Sequence, residues 1–256
     1  MAAVLITGAS GLIGRWTMTH WPERADAVLV DHRTHDLTDP DAFVAAIRAH
    51  APSTVLHLAW CASGTAGYRT SADNQRWLAS SLRAASFCLQ EGIRFIGTGT
   101  VADSGPATDP YAAAKQELRT RLAEHIDSGA IGWIRPFYVF DPDADRPALV
   151  AQARAAALGC TPVELSSPDS AHDFVHAADV GAAVVAVLEH GLTGSVDIGS
   201  GSLRTVREVA LACGARVTEN PEPAPPVLDA AADTSRLRLL GWSATATEQF
   251  FAAQQT

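Results

Sequence analysis

Three glycines spaced three apart follow the apolar run AAVLIT at the start of the chain. The segment GASGLIG carries Gly8, Gly11 and Gly14. An apolar strand that must enter a helix through a turn almost free of side chains can belong to few folds. The spacing predicts a tight turn at a helix N-terminus, with Ser10, Leu12 and Ile13 between the glycines. There the free N–H groups and the helix dipole favour an anion such as a pyrophosphate, which can come close only where side chains are absent. Glycine-rich turns also arise for purely structural reasons, so the rest of the chain must decide.

The rest of the chain alternates in the same way. AAVLIT, AVLV, TVLHLA, IRFIG, AIGWIRPF and SVDIG read as buried strands, and PDAFVAAIRAH, NQRWLASSLRAASFCLQ, PYAAAKQELRTRLAEHI and DVGAAVVAVLEH as helices. Strand–helix alternation predicts an α/β fold of the Rossmann type, with a doubly wound parallel sheet. Beyond about residue 141 the pattern loosens, and ENPEPAPPVLDAA reads as a proline-rich connector. The 256 residues are therefore expected to form one extended unit, 1–256. A dinucleotide-binding core would fill about 1–140. A small C-terminal substrate-binding subdomain, with some returning core elements, would fill about 141–256.

Composition narrows the class. A formal net charge of −9 without a lysine or arginine block argues against nucleic acid or an anionic membrane as partner. The four cysteines, Cys61, Cys88, Cys160 and Cys213, form no CxxC or Cys/His cluster, so neither a disulfide framework nor a metal site is expected. With the first strand starting near residue 3 and no run long enough to span a bilayer, the expectation is a soluble cytoplasmic protein.

The second strand ends on Asp31, 17 residues after Gly14. An acid there can accept hydrogen bonds from an adenosine ribose, which favours NAD(H). Arg15 and Arg33 pull toward NADP(H), because either could pair with a 2′-phosphate, or both could be solvated surface residues. Asp36 and Leu37 in HDLTDP are placed to reach an adenine amine, and Asp36 could equally belong to a helix N-terminal turn. Further along, Tyr111 and Lys115 stand four apart and so share one helix face. A fixed ammonium beside a phenol is expected to lower its pKa and suit it to proton transfer, and to hold a nicotinamide ribose. FIGTGTVADSG leaves a strand end, where open α/β sheets bind ligands, and offers Thr98 and Thr100 to a substrate oxygen.

Together these segments resemble the extended short-chain dehydrogenase/reductase family, the NAD-dependent epimerase/dehydratase group, over nearly the whole chain. HLAW, from His57 through Leu58 and Ala59 to Trp60, is similar to the family's strand end beside the nicotinamide ribose. Asn74 matches a helix asparagine with structural and proton-relay roles. Counting back from Gly105, Thr100 falls on the catalytic Ser/Thr position, with Thr98 as the fallback. RPFYVFDP, HDFVHAADV and VDIGSG look like later family segments. The resemblance implies Thr100, Tyr111 and Lys115 as the catalytic set. It adds His32, Arg33 and Pro136 to the cofactor-binding residues, and makes Arg135, Tyr138 and His172 substrate-side guesses; His172 could equally be a packed loop residue.

Departures shape the expected reaction. Tyr138 replaces a common asparagine, His172 a common arginine and Ser104 a tyrosine, and only ten residues separate Thr100 from Tyr111. These changes bear on the size of a nucleotide-sugar pocket and leave the cofactor site and the Thr/Tyr/Lys set intact. The four-residue link from Asp31 to Asp36 resembles nucleotide-sugar 4-ketoreductases, and the absence of an Asp-Glu pair after Thr100 argues against dehydration. The expectation is NAD(P)-dependent 4-keto reduction of a nucleotide-linked deoxysugar. A 4-epimerase that retains NAD and a non-catalytic dinucleotide sensor are the alternatives. A homodimer is expected through the helices at 74–90 and 111–126, with Trp77, Phe87, Leu118 and Leu122 as surplus apolar residues unless the monomer buries them.

Overall fold

The computed structural model describes residues 3–21, 26–61, 67–143, 148–220, 227 and 229–253. Most of the proline-rich connector, 221–226 and 228, lies outside the described residues. The chain forms two compact units. One comprises Met1–Pro136 with Gly181–Val196, the other Phe137–Val180 with Asp197–Thr256.

The first unit begins with β1 (Val4–Thr7), α1 (Leu12–His20), β2 (Ala27–Val30), α2 (Pro40–His50), β3 (Thr54–His57) and α3 (Asp73–Gln90). It continues with β4 (Arg94–Thr98), α4 (Pro110–Asp127) and β5 (Ile131–Pro136). In the second unit β6 (Tyr138–Phe140), α5 (Leu149–Leu158), β7 (Pro162–Leu165), β8 (Ala171–His172) and β9 (Phe174–His176) come first. The helix α6 (Ala177–Glu189) and the strand β10 (Gly194–Ile198) carry the chain through the first unit and out again. Then follow β11 (Arg204–Thr205), α7 (Val206–Ala212), β12 (Arg216–Glu219), α8 (Ser235–Arg238) and α9 (Thr245–Ala252).

The central sheet has six strands in the order β10-β5-β4-β3-β1-β2, and β2, β1, β3, β4 and β5 all run parallel. The predicted Rossmann-type sheet is what the chain builds. Its strands are short and apolar because both faces are covered; every residue of β3 is buried. The order reverses at β1, whose successor β2 lies on one side and β3 on the other. In open parallel sheets the crevice at such a reversal, beyond the carboxyl ends of the strands, takes the ligand.

The helices start where the sequence supplies caps. The Asp39 side chain accepts the N–H groups of Asp41 and Ala42, and Pro40 follows at the first helical position of α2. Asp109 and Pro110 start α4 in the same manner. The core between α2, α3, α4 and the sheet takes in Trp77, Phe87, Leu118 and Leu122, each at most 9% exposed. This corrects the expectation that the four are left over for a partner subunit. The pairing of α3 with α4 consumes them within one chain.

The second unit carries three two-stranded pairings: β6 with β9, β7 with β12, and β8 with β11. Its core joins Phe140, Val150, Leu165, Phe174, Val209 and Phe251. Among the described residues no helix is long and apolar enough to cross a membrane.

Candidate active site

The glycine turn sits at the reversal point. Gly8 has φ +75°, which a side chain disfavours, and a Cβ there would lie 2.7 Å from Ala59 N in the segment after β3. A Cβ on Gly14 would fall inside the contact distance of Gly8 O and of the Ala9 backbone. Two of the three glycines are therefore demanded by the chain's own backbone. Gly11 differs: it is exposed, and the nearest atom to a Cβ would be Gly8 O at 3.2 Å. It forms the N-cap of α1, and no side chain caps that helix. The uncapped N-terminus, flanked by exposed Ser10 and half-buried Leu12 and Ile13, fits a dinucleotide pyrophosphate.

At the adenosine end, Asp31 follows β2 directly, and its carboxylate accepts the Arg33 N–H at 2.9 Å. His32, Arg33 and Arg15 are exposed. Asp36 is more committed than the sequence suggests. It accepts the Thr38 N–H and hydroxyl and pairs with Arg76 at 3.0 Å; these bonds, Thr38 first, hold its carboxyl below the usual range. The N-cap of α2 is Asp39, so Asp36 takes no capping role. The Leu37 side chain belongs to the core and its carbonyl accepts the Ser80 hydroxyl. Its side chain is therefore turned into the protein, and any contact with an adenine would fall to its backbone.

The strand ends β3 and β4 and the first turn of α4 bring the reactive groups together. Tyr111 is buried near the start of α4, within hydrogen-bond reach of the Thr100 side chain. The Tyr68 ring meets it edge-on at 5.2 Å, and Arg69 lies over its face at 5.4 Å while pairing with Asp109 at 2.6 Å. One turn on, the Lys115 ammonium donates to Thr98 O at 2.8 Å and stands 3.6 Å above the Trp60 ring. Burial pushes the Lys115 pKa down to about 7, while Asp103 acts in the opposite sense. The Tyr111 phenol is pushed up, first by burial and then by Tyr68; the Thr100 hydrogen bond opposes both. The expected lowering of the phenol by Lys115 is thus overridden by desolvation of both groups.

The remaining expected residues separate into distinct roles. The Thr98 hydroxyl donates to His57 O at 2.8 Å, tying β4 to β3, whereas the Thr100 side chain accepts the Ala102 N–H and faces Tyr111. The Asn74 side chain is saturated: its carbonyl accepts Trp60 Nε1 at 2.8 Å and Cys61 Sγ, and its amide donates to Tyr68 O and Ser71 O. It steadies Trp60 and the Tyr68 segment. Leu58 and Ala59 donate N–H groups to the Thr7 carbonyl and hydroxyl respectively, and Pro136 closes β5 in a buried position. Arg135 Nη1 donates to Ser104 Oγ at 2.7 Å. In the second unit His172 Nδ1 lies 2.6 Å from Asp229 Oδ2, and the His172 ring lies tilted against Tyr138 at 4.1 Å between ring centroids.

Residues 4–199 match the NAD dependent epimerase/dehydratase family. The chain belongs to that family. No curated protein sequence matches this family member closely enough to add to the assignment. Among solved structures it is similar to the UDP-glucose 4-epimerase of Thermus thermophilus in complex with NAD. The two share 23% identity, with 94% of each chain covered and a TM-score of 0.74. It is also similar to a GDP-mannoheptose C4 reductase from Campylobacter jejuni with NADP bound (16% identity, 95% and 93% covered, TM-score 0.74). A GDP-6-OMe-4-keto-L-xylo-heptose reductase from C. jejuni gives 15% identity, the same coverages and a TM-score of 0.76.

Two signals in this family member were missed by motif reading. Of its 19 lysine and arginine residues Lys115 is the single lysine, and two of its three tyrosines, Tyr68 and Tyr111, touch each other here. A chain that uses arginine everywhere else has kept lysine where a compact ammonium must fit a buried site. The other missed residue is Asp103, whose spacing from Thr100 is that of a capping box, which the structure forms.

Proposed function

We propose that this family member is an NAD(P)-dependent oxidoreductase acting on a nucleotide-linked sugar, with 4-keto reduction as its reaction. The observation that carries the reading is the meeting of Thr100, Tyr111 and Lys115 beside a sheet reversal point whose helix N-terminus has no side-chain cap. The uncapped α1 turn would hold the pyrophosphate, Asp31 the adenosine ribose, and Lys115 with the segment after β3 the nicotinamide side. The bound nicotinamide supplies hydride exchange. Thr100 would polarise the substrate oxygen, and Tyr111, close to the Thr100 side chain, would move its proton. Arg135, Tyr138 and His172 remain the substrate-side residues of this reading, and Asp31 favours NADH over NADPH.

A 4-epimerase is the second reading; it draws on the likeness to UDP-glucose 4-epimerases. A non-catalytic sensor is disfavoured, because a protein that only binds a dinucleotide has no use for a proton path through Tyr111. The same proposal places the protein in the cytoplasm as a homodimer, although no longer through the four apolar residues of α3 and α4. Incubation with 4-keto nucleotide sugars and either reduced cofactor tests it. A reductase consumes the cofactor stoichiometrically, and NADH is expected to bind more tightly than NADPH. An epimerase interconverts 4-epimers of a nucleotide sugar without net consumption. If neither reaction occurs across a nucleotide-sugar panel while dinucleotide binding is normal, the reading fails.

A further inference from the structure

We propose that Asp229 is a positioning residue for His172, and that the two side chains together bind hydroxyl groups of the substrate sugar rather than a phosphate. The proposal rests on the reading of His172 and Tyr138 as substrate-side residues. His172 ends β8, and its side chain is 12% exposed; Asp229 follows the proline-rich connector, and its side chain is 21% exposed. Backbone bonds bring the two together within the second unit. The Ala171 N–H donates to Val227 O at 2.8 Å, and Ala171 O accepts the Asp229 N–H at 3.1 Å. Ser170 Oγ accepts the Val227 N–H at 2.8 Å. Three residues beyond Asp229, the Ala232 N–H is held by the fully buried carboxylate of Asp173, which also accepts the N–H groups of Ser200 and Gly201. Asp229 is therefore pinned on both sides, and a side chain so held can fix the geometry of another.

The contact fixes which nitrogen of His172 carries the proton. A carboxylate only accepts, so Nδ1, 2.6 Å from Asp229 Oδ2, is the donor. In the neutral ring Nε2 is then an acceptor, because the tautomer follows the bond that the other nitrogen makes. Aromatic rings hold the imidazole in place: Tyr138 lies tilted against it at 4.1 Å, and Phe174 meets it edge-on at 6.0 Å. Among the described residues neither Nε2 nor Asp229 Oδ1 meets a hydrogen-bond partner. Two open acceptors beside an aromatic face suit a sugar, whose hydroxyls donate. A phosphate brings only acceptors and would meet the charge of Asp229. The rival anchor for an anion is Arg204, which stands opposite His172 in β11; its guanidinium lies over the Phe251 ring at 4.0 Å.

Ring-nitrogen NMR of the full chain with isotope-labelled histidine tests this. Spectra are recorded at about pH 9, above the ordinary histidine range, where the ring is read as one tautomer or the other. Of the nine histidines, His172 is identified as the signal that His172→Gln or His172→Asn removes. The wild-type ring is expected as the Nδ1–H tautomer, and Asp229→Ala should lose that preference. Excess glucose or galactose should then move the wild-type Nε2 signal, pyrophosphate should leave it in place, and Asp229→Ala should lose the hexose response. An Nε2–H tautomer in the wild type overturns the proposal, as does a tautomer unchanged in Asp229→Ala. So does the absence of a hexose response, or a response to pyrophosphate as large as that to the hexoses, which would pass the site to Arg204. Should Asp229→Ala not fold, the wild-type tautomer and its response to the three probes decide. None of these probes carries a nucleotide, so failure of the nucleotide-sugar reading would appear separately, as absent turnover with the His172 response intact.

Discussion

Thr98 and Thr100 are two residues apart and chemically alike, yet the fold assigns them different work. The Thr98 hydroxyl is spent on His57 O, and the Thr100 side chain meets the phenol of Tyr111. Thr100→Val should therefore lower turnover by about 10²–10³-fold, the usual effect of losing one donor to a developing oxyanion. Thr98→Val should instead cost about 1 kcal/mol of stability, the net worth of one hydrogen bond. Steady-state kinetics and urea unfolding of the two variants separate these outcomes, and the reverse ordering would reassign the loop. Tyr111→Phe should reduce turnover by roughly 10²–10⁴-fold while dinucleotide binding survives, because in the proposed reaction the phenol would move a proton and the glycine turn would hold the pyrophosphate. Retained turnover in that variant would remove Tyr111 from the chemistry.

At the scale of elements, the turn between β1 and α1 contains glycines of two kinds. Gly14→Ala forces a methyl group into Gly8 O and the Ala9 backbone, which have nowhere to move. It should destabilise the protein by about 2–4 kcal/mol. Gly11→Ala adds a methyl group at an exposed position with one close neighbour, Gly8 O at 3.2 Å, and should lower the melting temperature far less than Gly14→Ala while weakening dinucleotide binding. Thermal melts and a cofactor titration distinguish the two, and equal destabilisation would deny Gly11 its ligand-facing role. The elements themselves were legible wherever local chemistry marked them. PDAFVAAIRAH gives the bounds of α2 to the residue, because Pro40 and the Asp39 cap announce its start. The six sheet strands appear as six apolar runs. The pairings β8–β11 and β6–β9 were not legible, since strands of two or three residues show no periodicity. Within the site, Tyr111 and Lys115 declare themselves by spacing. The anchoring of Asn74 by Trp60 and the burial of Asp103 under Thr100 depend on packing between distant segments, which no local pattern encodes.

For the whole molecule, buried titratable groups fix how stability varies with pH. His57 is held neutral down to about pH 3 by burial, whereas an unfolded histidine protonates below 6.5, so stability falls as pH drops through that window. Lys115, ordinarily at 10.5, titrates at about 7 when folded. The unfolded chain binds the extra proton between those values, and stability rises with pH across them. Burial raises the Cys88 and Cys213 thiols from 9 to about 12 and about 11, so the unfolded thiols ionise first and stability falls above pH 9. The expected maximum is at about pH 9, and Lys115→Met should abolish the rise between 7 and 9. Urea midpoints measured from pH 5 to about 10 check both statements; a maximum at neutral pH in the wild type would contradict them.

The lone lysine also turns ordinary protein chemistry into a clock. Amine-reactive esters find no exposed lysine anywhere on the folded surface, since Lys115 is 3% exposed and every other basic side chain apart from histidine is arginine. Apart from the α-amino group, each acylation event must wait for α4 to open. The mass added over time should therefore count openings of this one helix, faster in denaturant and slower with a dinucleotide bound, without any probe being introduced into the chain.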